Sequence, residues 1–236
     1  MPQDKKIRII QMKKLIWIIA SVLMIAAFIV QIFGLFSDAQ SVTIAISYFI
    51  CLFAAGAFLL VTRRRKQPAK QHKNIAFRFI ISGSIGAALV EILFWAVEIM
   101  VGSNGVAAHP NIFIDLAVLM PWYISMITIF WFVNKKCGFS WQTTMLLGGI
   151  YELFADGIAG NLLMGNQITP EYIVMLPIFF GVFVFVYFPM LAMPVKYYNI
   201  KSEIDVPLPQ YKRILYAMLP VLALIPYSLL FLIIFA

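Results

Sequence analysis

Seven apolar runs, each of roughly 20 residues or more, follow one another along the chain with only short polar connections between them. They are Leu15–Phe36, Val42–Val61, Ala76–Val101, Ile112–Val133, Trp141–Met164, Tyr172–Met193 and Ile214–Ala236. A helix rises about 1.5 Å per residue, so each run is long enough to cross a hydrocarbon core of about 30 Å. Of the 236 residues, 63% are hydrophobic and 12% charged, against about 25% charged in an ordinary soluble domain. A soluble globular fold is excluded, and too few residues lie between the runs for a separate catalytic or nucleotide-binding module. The expected fold is all-α: a single domain over residues 1–236, built as a polytopic integral-membrane bundle of seven transmembrane helices.

Charge placement gives the expected orientation. The 18 basic residues fall at four places, on alternate ends of the seven runs. They are the N-terminal tail (Lys5 to Lys14), the 2–3 connection (Arg63 to Arg78), the 4–5 connection (Lys135, Lys136) and the 6–7 connection (Lys196 to Arg213). The connections around Asp38, Asn104 and Asn166 contain no lysine or arginine. By the positive-inside bias the N-terminus is cytoplasmic and the C-terminus outside, in a plasma membrane expected to be prokaryotic. Arg63, Arg64, Arg65 and Lys66 form a candidate site for anionic lipid head groups, at about 1 kcal/mol per basic side chain. Nucleic acid is not an expected partner, because this basic stretch is short and lacks interleaved aromatics. The basic tail and first run resemble a signal peptide superficially, but the run exceeds the roughly 7–15 residues of a signal core, so a retained anchor is expected.

Several chemistries are excluded by what is missing. There is no phosphate-cradling glycine loop, no His-Glu-x-x-His and no Gly-x-Ser-x-Gly. The histidines are His72 and His109, both in connections, so no haem or histidine-rich zinc site is expected, and no cofactor is implied. A retinal Schiff base needs a buried lysine, and the seventh run has Lys212 only at its entrance. Cys51 and Cys137 belong to different regions and are not expected to pair. Two matching stretches, Glu91-Ile92-Leu93-Phe94 and Glu152-Leu153-Phe154, are too short to establish a repeat.

The chemistry-bearing candidates are acidic. Asp4, Asp38, Glu171, Glu203 and Asp205 lie in tails and connections, where solvation accounts for them. Glu91, Glu98, Asp115, Glu152 and Asp156 lie inside the runs, with no lysine or arginine in any run core. A carboxylate facing lipid costs at least about 2.5–3.5 kcal/mol, so these side chains are expected to face the bundle interior, be protonated or line water. At about 1.5 Å per residue, Glu91 and Glu152 fall near the midplane, with Asp156, Glu98 and Asp115 progressively nearer the outer surface. Gly148, Glu152, Asp156 and Gly160 recur every four residues on one face, and Ser84, Ala87, Glu91, Trp95 and Glu98 form a comparable stripe. Small residues on such stripes let helices approach closely. The third, fourth and fifth helices are therefore expected to surround an acidic cavity, with the sixth and seventh more peripheral.

Glu152, Asp156 and Glu91 are the candidates for a proton or cation site, or for general acid–base work. Glu152 and Asp156 stand one turn apart and repel if both ionise, so one of them is expected to hold a proton. Glu98, Asp115, Trp95, Trp122, Tyr151 and Asn161 are the candidate lining residues. Each also has a plain structural role available: capping for Glu98 and Asp115, packing for the aromatics. Asn111 is a candidate cap of the fourth helix, and Tyr123 lies near the acids. Pro121, Pro177, Pro189, Pro220 and Pro226 are expected to kink the later helices. Carboxylates without basic partners suit proton relay or cation attraction, which makes a small permease coupled to protons or a small cation the leading expectation. An integral-membrane enzyme protonating an apolar lipid or isoprenoid is the second. An accessory subunit without chemistry is the third.

Overall fold

The computed structural model describes residues 3–63, 74–155, 158, 169–200 and 208–226. Among these residues every regular element is helical. The helices are α1 (Gln3–Gly34), α2 (Ala39–Thr62), α3 (Ile75–Val101), α4 (Ile112–Cys137), α5 (Trp141–Phe154) and α6 (Pro170–Val186). A π-helical turn, Phe188–Ala192, carries α6 into α7 (Met193–Tyr198), and α8 (Gln210–Met218) runs into a 3-10 turn, Leu219–Ala223. Four helices are long and apolar enough to cross a membrane: Lys14–Gly34 of α1, and α2, α3 and α4. Tyr172–Val186 and Phe188–Tyr198 form a fifth candidate span, bent by 44° at the break. The chain is thus a helical integral membrane protein with four to five candidate spans in the described residues. The second half of the fifth apolar run and the end of the seventh, residues 227–236, lie outside them.

The helix starts follow from local chemistry. Asp38 caps α2, accepting the Ser41 amide at 3.0 Å and the Ser41 hydroxyl at 2.7 Å. These donors hold its carboxyl at about 2, well below the usual carboxylate range. Asn111 caps α4 through the Phe113 amide, as its sequence position predicts. Ser140 and Thr169 do the same for α5 and α6. Pro189 has no N–H to return to the carbonyl four residues back, and the helix widens there, with the Met193 amide reaching the Phe188 carbonyl. Large apolar side chains such as Phe53, Leu60, Phe77, Leu89, Met100, Phe113 and Val174 point outward. In water they would be a liability, and against lipid they are the expected coat.

The bent pair formed by the sixth apolar run is central rather than peripheral, which corrects the expectation from sequence. Its α6 portion packs most extensively on α5 and α1, and its π turn packs on both α3 and α5. Helices three, four and five therefore do not close directly around the acids. The physical reason lies in glycines. A Cβ on Gly83 would stand 2.6 Å from the Met190 carbonyl, and one on Gly86 would stand 2.5 Å from the Pro189 carbonyl. On α5, a Cβ on Gly148 would meet Tyr187 and one on Gly149 would meet Val184, at 2.9 and 2.7 Å. A Cβ on Gly181 of α6 would meet the Leu23 carbonyl of α1 at 2.6 Å. Glycine on both neighbours admits the backbone of the broken helix between them.

The connections separate into two ends. At one end the 2–3, 4–5 and 6–7 connections meet through Tyr198, whose hydroxyl donates to the Arg78 carbonyl, Lys196 over Trp141, Lys136 over Tyr216 and Arg213 over Phe139. Basic side chains there lie on aromatic faces, a favourable contact. At the other end the 1–2 and 3–4 connections meet. The Thr43 and Ser103 hydroxyls bond at 2.6 Å, and the Gln40 amide donates to the Gly105 carbonyl at 3.5 Å.

Candidate functional site

A cavity of about 460 Å³ opens between the ends of α1, α2, α3 and α6 on the side where the 1–2 and 3–4 connections meet. Its wall is Val30, Gln31 and Gly34 of α1, Gln40, Ser41 and Ile44 of α2, Val90, Glu91 and Phe94 of α3, and the loop residues Gly105 and Val106. Six residues of α6, Tyr172 to Val186, make the opposite side, and Glu152 of α5 reaches in beside them. No lysine or arginine is among these lining residues.

Glu91 and Glu152 are brought to this one cavity from different helices, and each is held by a tyrosine. The Tyr123 hydroxyl of α4 donates to Glu91 at 2.5 Å. The Tyr187 hydroxyl, at the break between α6 and the π turn, donates to Glu152. The two tyrosine rings meet edge to face with centroids 6.0 Å apart, so the acids are joined through a pair of touching phenols. Glu152 is 4% exposed, whereas Glu91 is half-buried. Carboxylates supplied with hydroxyl donors inside a helical bundle can accept, hold and pass a proton, or attract a cation.

The other sequence candidates are placed differently. Glu98 accepts the Val106 amide at 3.0 Å and the Ala107 amide at 2.8 Å. It thereby fixes Val106 on the cavity rim without lining the cavity itself. Asp115 is fully buried and accepts the His109 amide at 3.1 Å, in the same 3–4 connection. Both act on loop backbone, as caps do. The Trp95 indole donates to the Pro110 carbonyl at 2.7 Å. Trp122 is buried in the core. Tyr151 is fully buried and donates to the Ala217 carbonyl of α8 at 2.6 Å. Asp156 and Asn161 lie outside the described residues, as do Arg64, Arg65 and Lys66; Arg63 is exposed at the end of α2.

Two participants were not singled out from sequence. Tyr187 sits in an aromatic-rich run where nothing marks one ring over its neighbours, and it was missed. Gln31 lies in the first apolar run, outside every motif considered above. It is 8% exposed and lines the cavity. A glutamine in a lipid-spanning helix is itself a polar exception, and that was the available signal.

Fold and site together define a class: a polytopic helical membrane protein with a tyrosine-linked glutamate pair in a cavity open at one end. Comparison with protein-family models, with curated proteins and with solved structures finds no match for this chain.

Proposed function

We propose that the protein is a small permease that couples to protons or a cation, with Glu91 and Glu152 as the ion-carrying groups. The observation that supports this most directly is their convergence, each on a tyrosine, in a cavity with no lysine or arginine among its described lining residues. A negative recess with proton-donating hydroxyls at its base attracts cations and can exchange them for protons. On this reading seven spans place the N-terminus and the basic connections in the cytoplasm and the cavity mouth outside, in a cell membrane of prokaryotic type. The basic stretch from Arg63 to Lys66 then lies against anionic lipid.

The test is flux in reconstituted vesicles carrying an internal pH dye. Imposed cation gradients are expected to drive proton movement that Glu152→Gln and Glu91→Gln abolish, at unchanged membrane yield and melting temperature. Proton movement that survives both substitutions removes the glutamates from the mechanism. A neutral isoprenoid copurifying with a protein that shows no flux would instead favour the enzymatic reading, in which the same carboxyls act as general acids.

A further inference from the structure

The volume and chemistry of the cavity say more about its occupant than its charge alone does. A space of about 460 Å³ falls in the usual range of small-molecule sites, roughly 300–1,000 Å³, and is far larger than a proton or a bare metal ion needs. Hard cations are held by about six to eight oxygens at close range. Here most of the lining is apolar or aromatic, and among the described residues no three His, Cys, Asp or Glu side chains are grouped to hold a metal. Phe94, Phe179, Phe183 and Tyr172 all contribute to the wall, and aromatic rings attract organic ammonium groups through their faces.

Gln31 supplies the independent observation. It is more than nine-tenths buried and lies on the cavity wall. Its Oε1 stands 3.7 Å from where a Cβ on Gly34, another lining residue, would lie. An amide on the wall of a cavity offers two N–H donors and a carbonyl acceptor to whatever occupies it.

We infer that the cavity binds an amphipathic organic monoamine, with its ammonium at Glu91 and Glu152, its apolar body along Phe94, Phe179 and Phe183, and a second polar group at Gln31. This deepens the permease reading and rests on it for the transport step: the amine is the cargo, and the proton is the coupling ion. Each group of the ligand meets a group of matching chemistry, and each of these contacts can be removed separately.

The probes are tyramine, phenylethylamine, which lacks the phenol, and tyrosol, which replaces the ammonium by a neutral hydroxyl. Binding is read by calorimetry and by melting temperature on the full chain in mild detergent, since a ligand selective for the folded state raises the melting temperature with its concentration. Tyramine is expected to bind and tyrosol to bind at least tenfold more weakly. Gln31→Leu is expected to weaken tyramine about tenfold while leaving phenylethylamine within about twofold, and Glu152→Gln to weaken both amines. If Gln31→Leu does not accumulate, Ile44→Trp fills the cavity from α2 and is expected to block both amines. Tyrosol binding as well as tyramine overturns the inference. Sodium or lithium stabilising the protein where neither amine does also overturns it, while leaving a cation-coupled permease standing. Amine binding without any flux in vesicles keeps the ligand assignment and removes the permease.

Discussion

At the scale of single residues, the two glutamates differ in what surrounds them, and that difference is measurable. Glu152 is almost wholly buried, so losing the Tyr187 hydroxyl leaves a carboxyl with one fewer donor and little access to water. Tyr187→Phe is expected to lower stability by about 1–3 kcal/mol. Glu91 is half-buried on the cavity wall, where solvent replaces a lost donor, so Tyr123→Phe is expected to cost about 1 kcal/mol or less. Thermal unfolding of the two variants side by side checks the order, and equal losses would show that the two acids share one environment. Sequence made the acids visible because an ionisable group in an apolar run is conspicuous. Their phenolic partners were not visible, because a tyrosine among many aromatics carries no mark of which way its hydroxyl points. Glu98 and Asp115 show the converse: conspicuous in sequence, they turn out to hold loop amides, a role that depends on where the 3–4 connection folds back.

At the scale of elements, α2, α3 and α4 were legible almost to their ends, because length and hydropathy alone set them. The path of the sixth apolar run was not, since its central position depends on glycine contacts between segments far apart in the chain. The stripe read from α3 contained Ala87 and Glu91 but not the two glycines that matter most for packing. Gly86 and Gly56 make a matched test of this account. A methyl at Gly86 would run into the Pro189 backbone, which is not free to rotate away, whereas nothing lies within 4 Å of a methyl at Gly56. Gly86→Ala is expected to destabilise by about 1–3 kcal/mol through overpacking. Gly56→Ala is expected to be neutral or to stabilise by up to about 1 kcal/mol through helix propensity. Melting temperatures in detergent decide, and a harmless Gly86→Ala would mean that the π turn does not need its seat on α3.

At the scale of the whole molecule, the division of the connections into two ends follows the charge partition read from sequence. The described basic side chains of the 2–3, 4–5 and 6–7 connections gather with aromatics at one end, and the cavity mouth lies at the other. Which end faces the cytoplasm is tested by labelling. Cys51 and Cys137 are both buried, so the background is low. Asn104→Cys is expected to react with an impermeant thiol reagent applied to intact cells, and Lys135→Cys only after the cells are opened. The reverse pattern would turn the cavity mouth toward the cytoplasm and overturn the proposed orientation.

Tyr187 sits at the bend between the two halves of the broken candidate span and also bonds the Glu152 carboxyl. If a bound cation changes the free energy of the Tyr187–Glu152 contact, it also changes the preferred angle between the two halves of that span. Linkage then works in both directions with one factor: whatever straightens or sharpens the bend alters cation affinity as much as the cation alters the bend. Lipid thickness, membrane tension or a neighbouring protein pressing on α7 would each enter the binding constant at the cavity without touching it.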